Sequence, residues 1–262
     1  MQITYTAVPD IPLIKPGDDL ARIVFDCITT AGSRLQDGDV IVFAQKVVSK
    51  SEERLVRLKD VTPSARALEV AAVTGHDPRL DELILQESNE VLKMRRGLIV
   101  VEQRTVFICA NAGIDRSNIE PDGEELVVSL LPLDPDASAR RLRDQLQALS
   151  GVPLAVLIID THGRPFRDGV VGVTIGVAGM KALRDARGEE DLFGFQLQHT
   201  IISPADEIAA GASMLMGQSG EGRPVVAVRG ARYERGEGSV KELLRPRLLD
   251  MFRPEPIMRL RD

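Results

Sequence analysis

The sequence predicts a mixed α/β fold of the α+β kind: a mixed sheet with flanking helices, packed as two intimate lobes. Two observations predict it. Apolar runs at 40–44, 154–159 and 224–228 have strand length and no polar alternation, so they read as strands buried on both faces. Amphipathic stretches with helical spacing lie between such runs, and that alternation calls for a sheet covered by helices. The 262 residues can bury a sizeable core. No repeat, low-complexity stretch or linker divides residues 1–262, which read as one unit ending in a helical tail at 239–262. There is no GxxxxGK[ST] sequence, and neither a P-loop nor a Rossmann fold is expected.

Taken in order, residues 2–8 read as a strand, and 18–30 as a helix with Leu20, Ile23, Val24 and Cys27 on one face. Gly38-Asp39 turns the chain into the strand at 40–44. Pro63-Ser64 opens a helix running through Ala72, and 81–91 reads as a second helix. Residues 98–101 and 105–109 resemble paired strands joined by a polar turn, and 138–148 is a charged amphipathic helix. Residues 170–178 mix Val with Gly, as a strand does where another backbone comes close. Residues 206–216 form an alanine-rich helix. Ser239-Val240-Lys241-Glu242 is a capping box opening a C-terminal helix that Pro246 interrupts.

Composition excludes several functions. A net charge of -6 and a pI near 5.3 argue against nucleic-acid binding and against an anionic membrane surface. The basic stretch 245–261 alternates with Leu, Met and Asp, and reads as a solvated helix face. Cys27 and Cys109 are the only cysteines; both sit among apolar neighbours and are expected as buried free thiols in a reducing compartment. With no cysteine cluster and no His pair at zinc spacing, a structural zinc site is not expected. No secretory leader and no apolar run of membrane-spanning length is visible, so a cytoplasmic protein is expected.

Two apolar runs each lead to an aspartate among small residues. The run 106–110 enters Asn111-Ala112-Gly113-Ile114-Asp115-Arg116-Ser117-Asn118, and 154–159 enters Asp160-Thr161-His162-Gly163-Arg164. An acid at a buried strand's carboxyl end emerges at a cleft rim, where α/β sheets bind ligands. Two such acids can share divalent metals that bridge phosphate oxygens. Capping of a following turn would explain one Asp-Thr; it explains two matched strand ends less well.

The chain resembles the coenzyme F420-0:L-glutamate ligase (coenzyme F420:gamma-glutamyl ligase) family. The matching pieces are 11–20, Val47-Val48-Ser49-Lys50, 111–118, 131–136, 160–164, 205–209 and Leu215-Met216-Gly217-Gln218, in family order over most of the chain. The resemblance implies an enzyme that uses GTP and divalent metal, Mg2+ or Mn2+, to join L-glutamate to the lactyl carboxylate of coenzyme F420-0. Extension through gamma-glutamyl links is also implied. It further implies two metal ions, K+ as an additional ion, and a homodimer, for which the apolar spacing of Leu243, Leu244, Leu248, Leu249, Met251 and Phe252 is a second sign.

The chemistry suits these residues. A carboxylate reacts with an amine only once its oxygen is a good leaving group, which phosphoryl transfer from a nucleotide provides as an acyl phosphate. The resemblance makes Asp115, Asp160 and Thr161 the catalytic and metal-holding residues, with Gln218 near a metal or the phosphates. It places the nucleotide on Ile11, Pro12, Leu13 and Ile14, on Gln45, Lys46, Lys50 and Asn118, and on the loop Gly217, Gln218, Ser219 and Gly220. Lysine supplies a point charge, and glycines let backbone N–H groups approach phosphate. Read without the resemblance, Lys50 is a solvated lysine and the loop an ordinary helix end. The preference for GTP rests on the resemblance alone.

One departure stands out. The family commonly has glycine where this chain has Glu53, which puts the loop's backbone or its charge near phosphate in question. Of the three histidines, His76 reads as a surface turn residue, His199 as a strand side chain and His162 as a peripheral polar residue. Two other classes of function compete: a phosphotransferase, which would not need glutamate, and a non-catalytic deazaflavin- or nucleotide-binding protein, which would yield no GDP.

Overall fold

A computed structural model describes residues 2–121 and 123–261. The elements run β1 (Thr4–Ala7), α1 (Leu20–Thr30), β2 (Val40–Ala44), α2 (Gln45–Ser51), β3 (Leu55–Arg57), α3 (Ala65–Thr74) and α4 (Pro78–Gln86). Then follow β4 (Ser88–Arg95), β5 (Leu98–Gln103), β6 (Ile108–Ala110), β7 (Val127–Ser129), α5 (Pro135–Ser150), β8 (Ala155–Arg164) and β9 (Arg167–Ala178). The chain ends with β10 (Arg184–Asp185), β11 (Ile201–Ile202), α6 (Pro204–Met216), β12 (Val225–Arg229) and β13 (Met258–Arg259).

The fold is the mixed α/β arrangement expected. A five-stranded sheet has the order β1-β12-β2-β8-β9, with β2 and β8 parallel and the other neighbours antiparallel. A four-stranded sheet has the order β13-β4-β5-β6, and β3-β7 and β10-β11 form short pairs. Both faces of β2 are covered. Ile41 and Phe43 join a core with Val24, Ile28, Leu142 and Leu146 of α1 and α5; Val40 and Val42 join another with Ala205, Ile208, Ala209 and Ala212 of α6. This two-sided burial is why the run lacks polar alternation.

The glycines of β9 act by close approach. A Cβ on Gly172 would lie 2.5 Å from Ser213 Cβ of α6, and one on Gly176 would lie 2.5 Å from the Pro135 carbonyl oxygen of α5. Both helices therefore press directly on the strand.

Several expectations need correction. Residues 81–91 are not one helix: α4 ends at Gln86 and β4 begins at Ser88. The acids Glu87 and Glu90 imitate a helix's polar face, but they are buried and matched by arginines from distant segments. The run at 106–110 is a strand only from Ile108, because Val106 has φ 68° in the preceding turn. The tail is not helical. The capping box forms, but it opens a single 3-10 turn, Val240–Leu243; a second, Arg247–Leu249, follows Pro246, and β13 pairs with β4. Its basic residues are mostly exposed but lie on no α-helix, and two of them are tied by hydrogen bonds to buried acids. Arg247 and Arg253 both bond Glu90, and Arg253 also bonds Glu102.

The histidines and one cysteine also differ. His76 lies at a turn but is half-buried, its Nδ1 2.7 Å from Oδ1 of buried Asp81. His199 is exposed in irregular chain, not in a strand. Cys109 is buried, and burial pushes its thiol up; Cys27 is only partly buried. Among the described residues no helix is long and apolar enough to cross a membrane.

Candidate functional site

β2 passes without a loop into α2, and β8 runs parallel beside it as far as the pair Ala44–Ile159. Beyond that point β8 continues to Arg164 with only β9 as a partner. Asp160 is therefore not at the end of its own strand. It sits where the parallel neighbour stops, and that gap in the sheet gives the acid its cleft. Thr161 follows, paired with Gly172, whose missing side chain lets Ser213 of α6 come close.

Asp115 arrives from a stiff loop. Asn111, Ala112 and Gly113 take φ of 49°, 54° and 69°, three consecutive left-handed residues that the surrounding contacts must hold. The Ile99 N–H donates to Asn111 Oδ1, and Leu131 packs where a Gly113 side chain would be. Asp115 then exchanges two backbone hydrogen bonds with Ser129.

The resulting cleft is about 350 Å³. Its walls hold Leu13, Ile14, Gln45, Lys46, Lys50, Asp115, Asn118, Asp160 and Thr161, together with Gly217, Gln218, Ser219 and Gly220. Of the residues the sequence nominated, Ile11 and Pro12 are absent from this wall; Ile11 packs instead against the core. Leu13 is 82 % exposed at the rim, whereas Ile14 is buried. The cleft also takes in Ser117, Ser213, Met216 and Arg223, which sequence reasoning missed. Ser213 and Met216 lie three apart on α6, one turn before the glycine loop; a serine in an alanine-rich helix was the available signal.

Hydrogen bonds tie the cleft's pieces together. Lys46 Nζ lies 2.7 Å from Asp115 Oδ2 and also donates to the Ser117 carbonyl and hydroxyl. One turn later on α2, Lys50 Nζ donates to the Asn118 carbonyl at 2.7 Å. Asn118 Nδ2 donates to the Ser219 carbonyl at 2.7 Å, joining the aspartate loop to the glycine loop. Gln218 Nε2 reaches Ser213 Oγ at 3.3 Å, and the Ser219 N–H donates to Glu221 Oε2.

The two carboxylates are tuned in opposite directions. Burial works to raise Asp115, but the Lys46 ammonium and the Ser117 N–H outweigh it and hold the group below the usual carboxylate range. Asp160 is raised to about 6 by burial, helped by the charge of Asp115 and opposed by the Thr161 N–H and Lys46. Lys50 is lowered by burial and by Lys46.

His162 is not peripheral. Its ring stacks on Phe107 with centroids 5.3 Å apart, and its buried Nε2 lies 3.8 Å from Asp160 Oδ2 without a hydrogen-bond partner. Glu53, conversely, is exposed and off the cleft wall. Its φ of 60° gives the left-handed end of α2, with the Arg54 N–H donating to the Ser49 carbonyl. The chain keeps the backbone that glycine favours.

Among the described residues no group of three or more His, Cys, Asp or Glu side chains could hold a metal on its own. Two carboxylates, a threonine hydroxyl and the Gln218 amide form a set of hard oxygen donors. That set suits a cation that takes its remaining ligands from phosphate and water, as Mg2+ does.

A family model described as F420-0:Gamma-glutamyl ligase matches residues 10–230. Among curated proteins, the chain is similar to coenzyme F420:L-glutamate ligases from several organisms. It is 47 % identical to that of Methanothermobacter thermautotrophicus over 97 % of this chain and 100 % of that protein. Identity is 44 % with that of Archaeoglobus fulgidus over 97 % of each, and 39 % with that of Methanocaldococcus jannaschii over 93 % and 94 %.

Proposed function

The chain belongs to the F420-0:gamma-glutamyl ligase family, and from that premise we propose that it joins L-glutamate to the lactyl carboxylate of coenzyme F420-0, using GTP and a divalent cation, in coenzyme F420 biosynthesis. The observation that carries this reading is the meeting of Asp115 and Asp160, from segments far apart in sequence, in one cleft with Lys46, Lys50 and the loop from Gly217 to Gly220. Hard anionic ligands stand beside cations and exposed backbone, as a metal–triphosphate requires.

Asp115, Asp160, Thr161 and Gln218 would hold Mg2+ or Mn2+, two ions when fully loaded, with K+ as an additional ion. Bound there, such ions neutralise the triphosphate and favour in-line transfer. Lys46 and Lys50 add positive charge on the α2 side, and Asn118 keeps the glycine loop against the aspartate loop. The γ-phosphoryl group passes to the lactyl carboxylate, giving an acyl phosphate and GDP. The glutamate amine then attacks the acyl carbon, and phosphate leaves. Repetition on the new terminal glutamate would extend the tail by gamma-glutamyl links.

The protein works as a cytoplasmic homodimer in this reading. Exposed apolar residues Phe166, Leu248, Met251 and Phe252 supply a surface for a second copy, and Phe166 meets Phe252 edge-on at 5.5 Å. The deciding experiment incubates the protein with coenzyme F420-0, GTP, glutamate and Mg2+ or Mn2+, then reads product masses. A gain of one or more glutamyl units, with GDP formed, is expected. A stable phosphorylated product that accumulates in the presence of glutamate, with no glutamyl adduct, would point to a phosphotransferase instead.

A further inference from the structure

Past the cleft, β8 and β9 run on as a two-stranded hairpin whose tip is Arg164-Pro165-Phe166-Arg167. Arg164 and Arg167 are register partners at the end of this ladder, and like charges placed opposite one another repel. Neither has an ion-pair partner among the described residues. Arg164 is half-buried; its Nη2 has only the Asp168 carbonyl, at 3.5 Å, and its Nε is shielded from solvent with no hydrogen-bond partner. Half-buried arginines elsewhere are matched, as Arg54 is to Glu87 and Arg253 to Glu90. A buried donor left unpaired is costly, and an oxyanion would offset that cost.

The position suits a substrate. Arg164 is three residues beyond Thr161, on the order of 10 Å along the strand. Glutamate brings two carboxylates that do not react when its amine does, and the deazaflavin acid is itself anionic. The reacting ends belong at Asp160 and Thr161, so a non-reacting oxyanion needs a cation some distance away. Lys46 and Lys50 already serve the nucleotide side.

We infer that Arg164 and Arg167 form a receptor for a non-reacting oxyanion of a bound substrate, held by forked guanidinium N–H donors. This inference rests on the ligase reading. Its test is the KM of each substrate in Arg164→Met and Arg167→Met, with wild-type protein alongside. A rise of tenfold or more for glutamate or for the deazaflavin acid, with the KM of GTP within about twofold, is expected, and the affected substrate names the source of the anion. If glutamate is that substrate, the variant also loses the wild type's preference for glutamate over glutamine. Arg164→Lys, which keeps charge but not the fork, recovers only part of the loss. Arg167 is exposed, so its variant tests the inference even if Arg164→Met folds poorly. Unchanged KM values for both substrates overturn the receptor while leaving the ligase reading intact. So does a change of oligomeric state, read by light scattering, without a substrate-selective KM. Wild-type protein that makes no product removes the ligase reading and the receptor with it.

Discussion

Lys46 Nζ spends its three donors on Asp115 Oδ2 at 2.7 Å and on the carbonyl and hydroxyl of Ser117. This lysine is the counter-charge of Asp115, so the carboxylate is held ionised. Asp115→Asn keeps the shape but removes the anionic ligand. Turnover should fall by at least about a thousandfold, with Mn2+ binding by electron paramagnetic resonance lost and the circular dichroism spectrum unchanged. Near-normal turnover with Mn2+ still bound would place the reacting centre elsewhere.

Asp160 behaves in the opposite sense. Its carboxyl is raised to about 6 in the folded protein, against an ordinary 3.8 when unfolded. A raised acid disfavours folding once the unfolded group ionises, so the penalty appears as pH climbs from about 4 through 6 and is complete above that. It amounts to roughly 3 kcal/mol at most. Asp160→Asn should therefore raise the melting temperature of metal-free protein at pH 8, leave it nearly unchanged at pH 4, and abolish turnover. Equal effects at the two pH values would show that the aspartate is not strained by burial.

Glu53 offers a stability test away from the cleft. With φ of 60° it occupies the left-handed position after α2. A side chain there costs roughly 1–2 kcal/mol, partly offset because glycine loosens the unfolded chain. Glu53→Gly should stabilise the protein by about 0.5–1 kcal/mol in a urea titration, with the KM of GTP unchanged. A shift in that KM would return Glu53 to the nucleotide site.

Local patterns made much of this fold legible. Val40 to Ala44 showed a doubly buried strand, and the glycines of 170–178 announced a close backbone approach, which α6 and α5 make at Gly172 and Gly176. The sequence itself offered Asp115 and Asp160 for the cleft; Lys46, Lys50, Asn118 and the loop from Gly217 could be named only through the family resemblance. What stayed hidden depends on partners remote in sequence. Glu90 looks like the polar face of a helix until Arg247 and Arg253 are seen on it, and those arginines in turn look solvated until Glu90 is found beneath them. Asp160 seemed to end a strand because no local signal shows that β8 outruns β2.

The exposed apolar tail residues predict self-association. Leu248 is 99 % exposed, Met251 90 % and Phe252 62 %, and Phe252 meets Phe166 of the hairpin tip. Light scattering at micromolar concentration should give the mass of a dimer, and Phe252→Asp should shift it toward monomer. A monomeric wild-type mass would leave this surface without a second copy of the chain.

The order of chemical events can be read directly. If the deazaflavin acid is the group phosphorylated, its acyl phosphate forms before glutamate is needed, because phosphate supplies the leaving group that a carboxylate lacks. Hydroxylamine added with GTP, metal and the acid, but no glutamate, should then give the hydroxamate of that acid and stoichiometric GDP. Positional isotope exchange within GTP should depend on the same acid. Asp115→Asn and Asp160→Asn should give neither signal, because both depend on phosphoryl transfer. Should hydroxylamine instead yield glutamyl hydroxamate when the deazaflavin acid is left out, glutamate would be the phosphorylated group, which would overturn the assignment and point to a glutamate kinase.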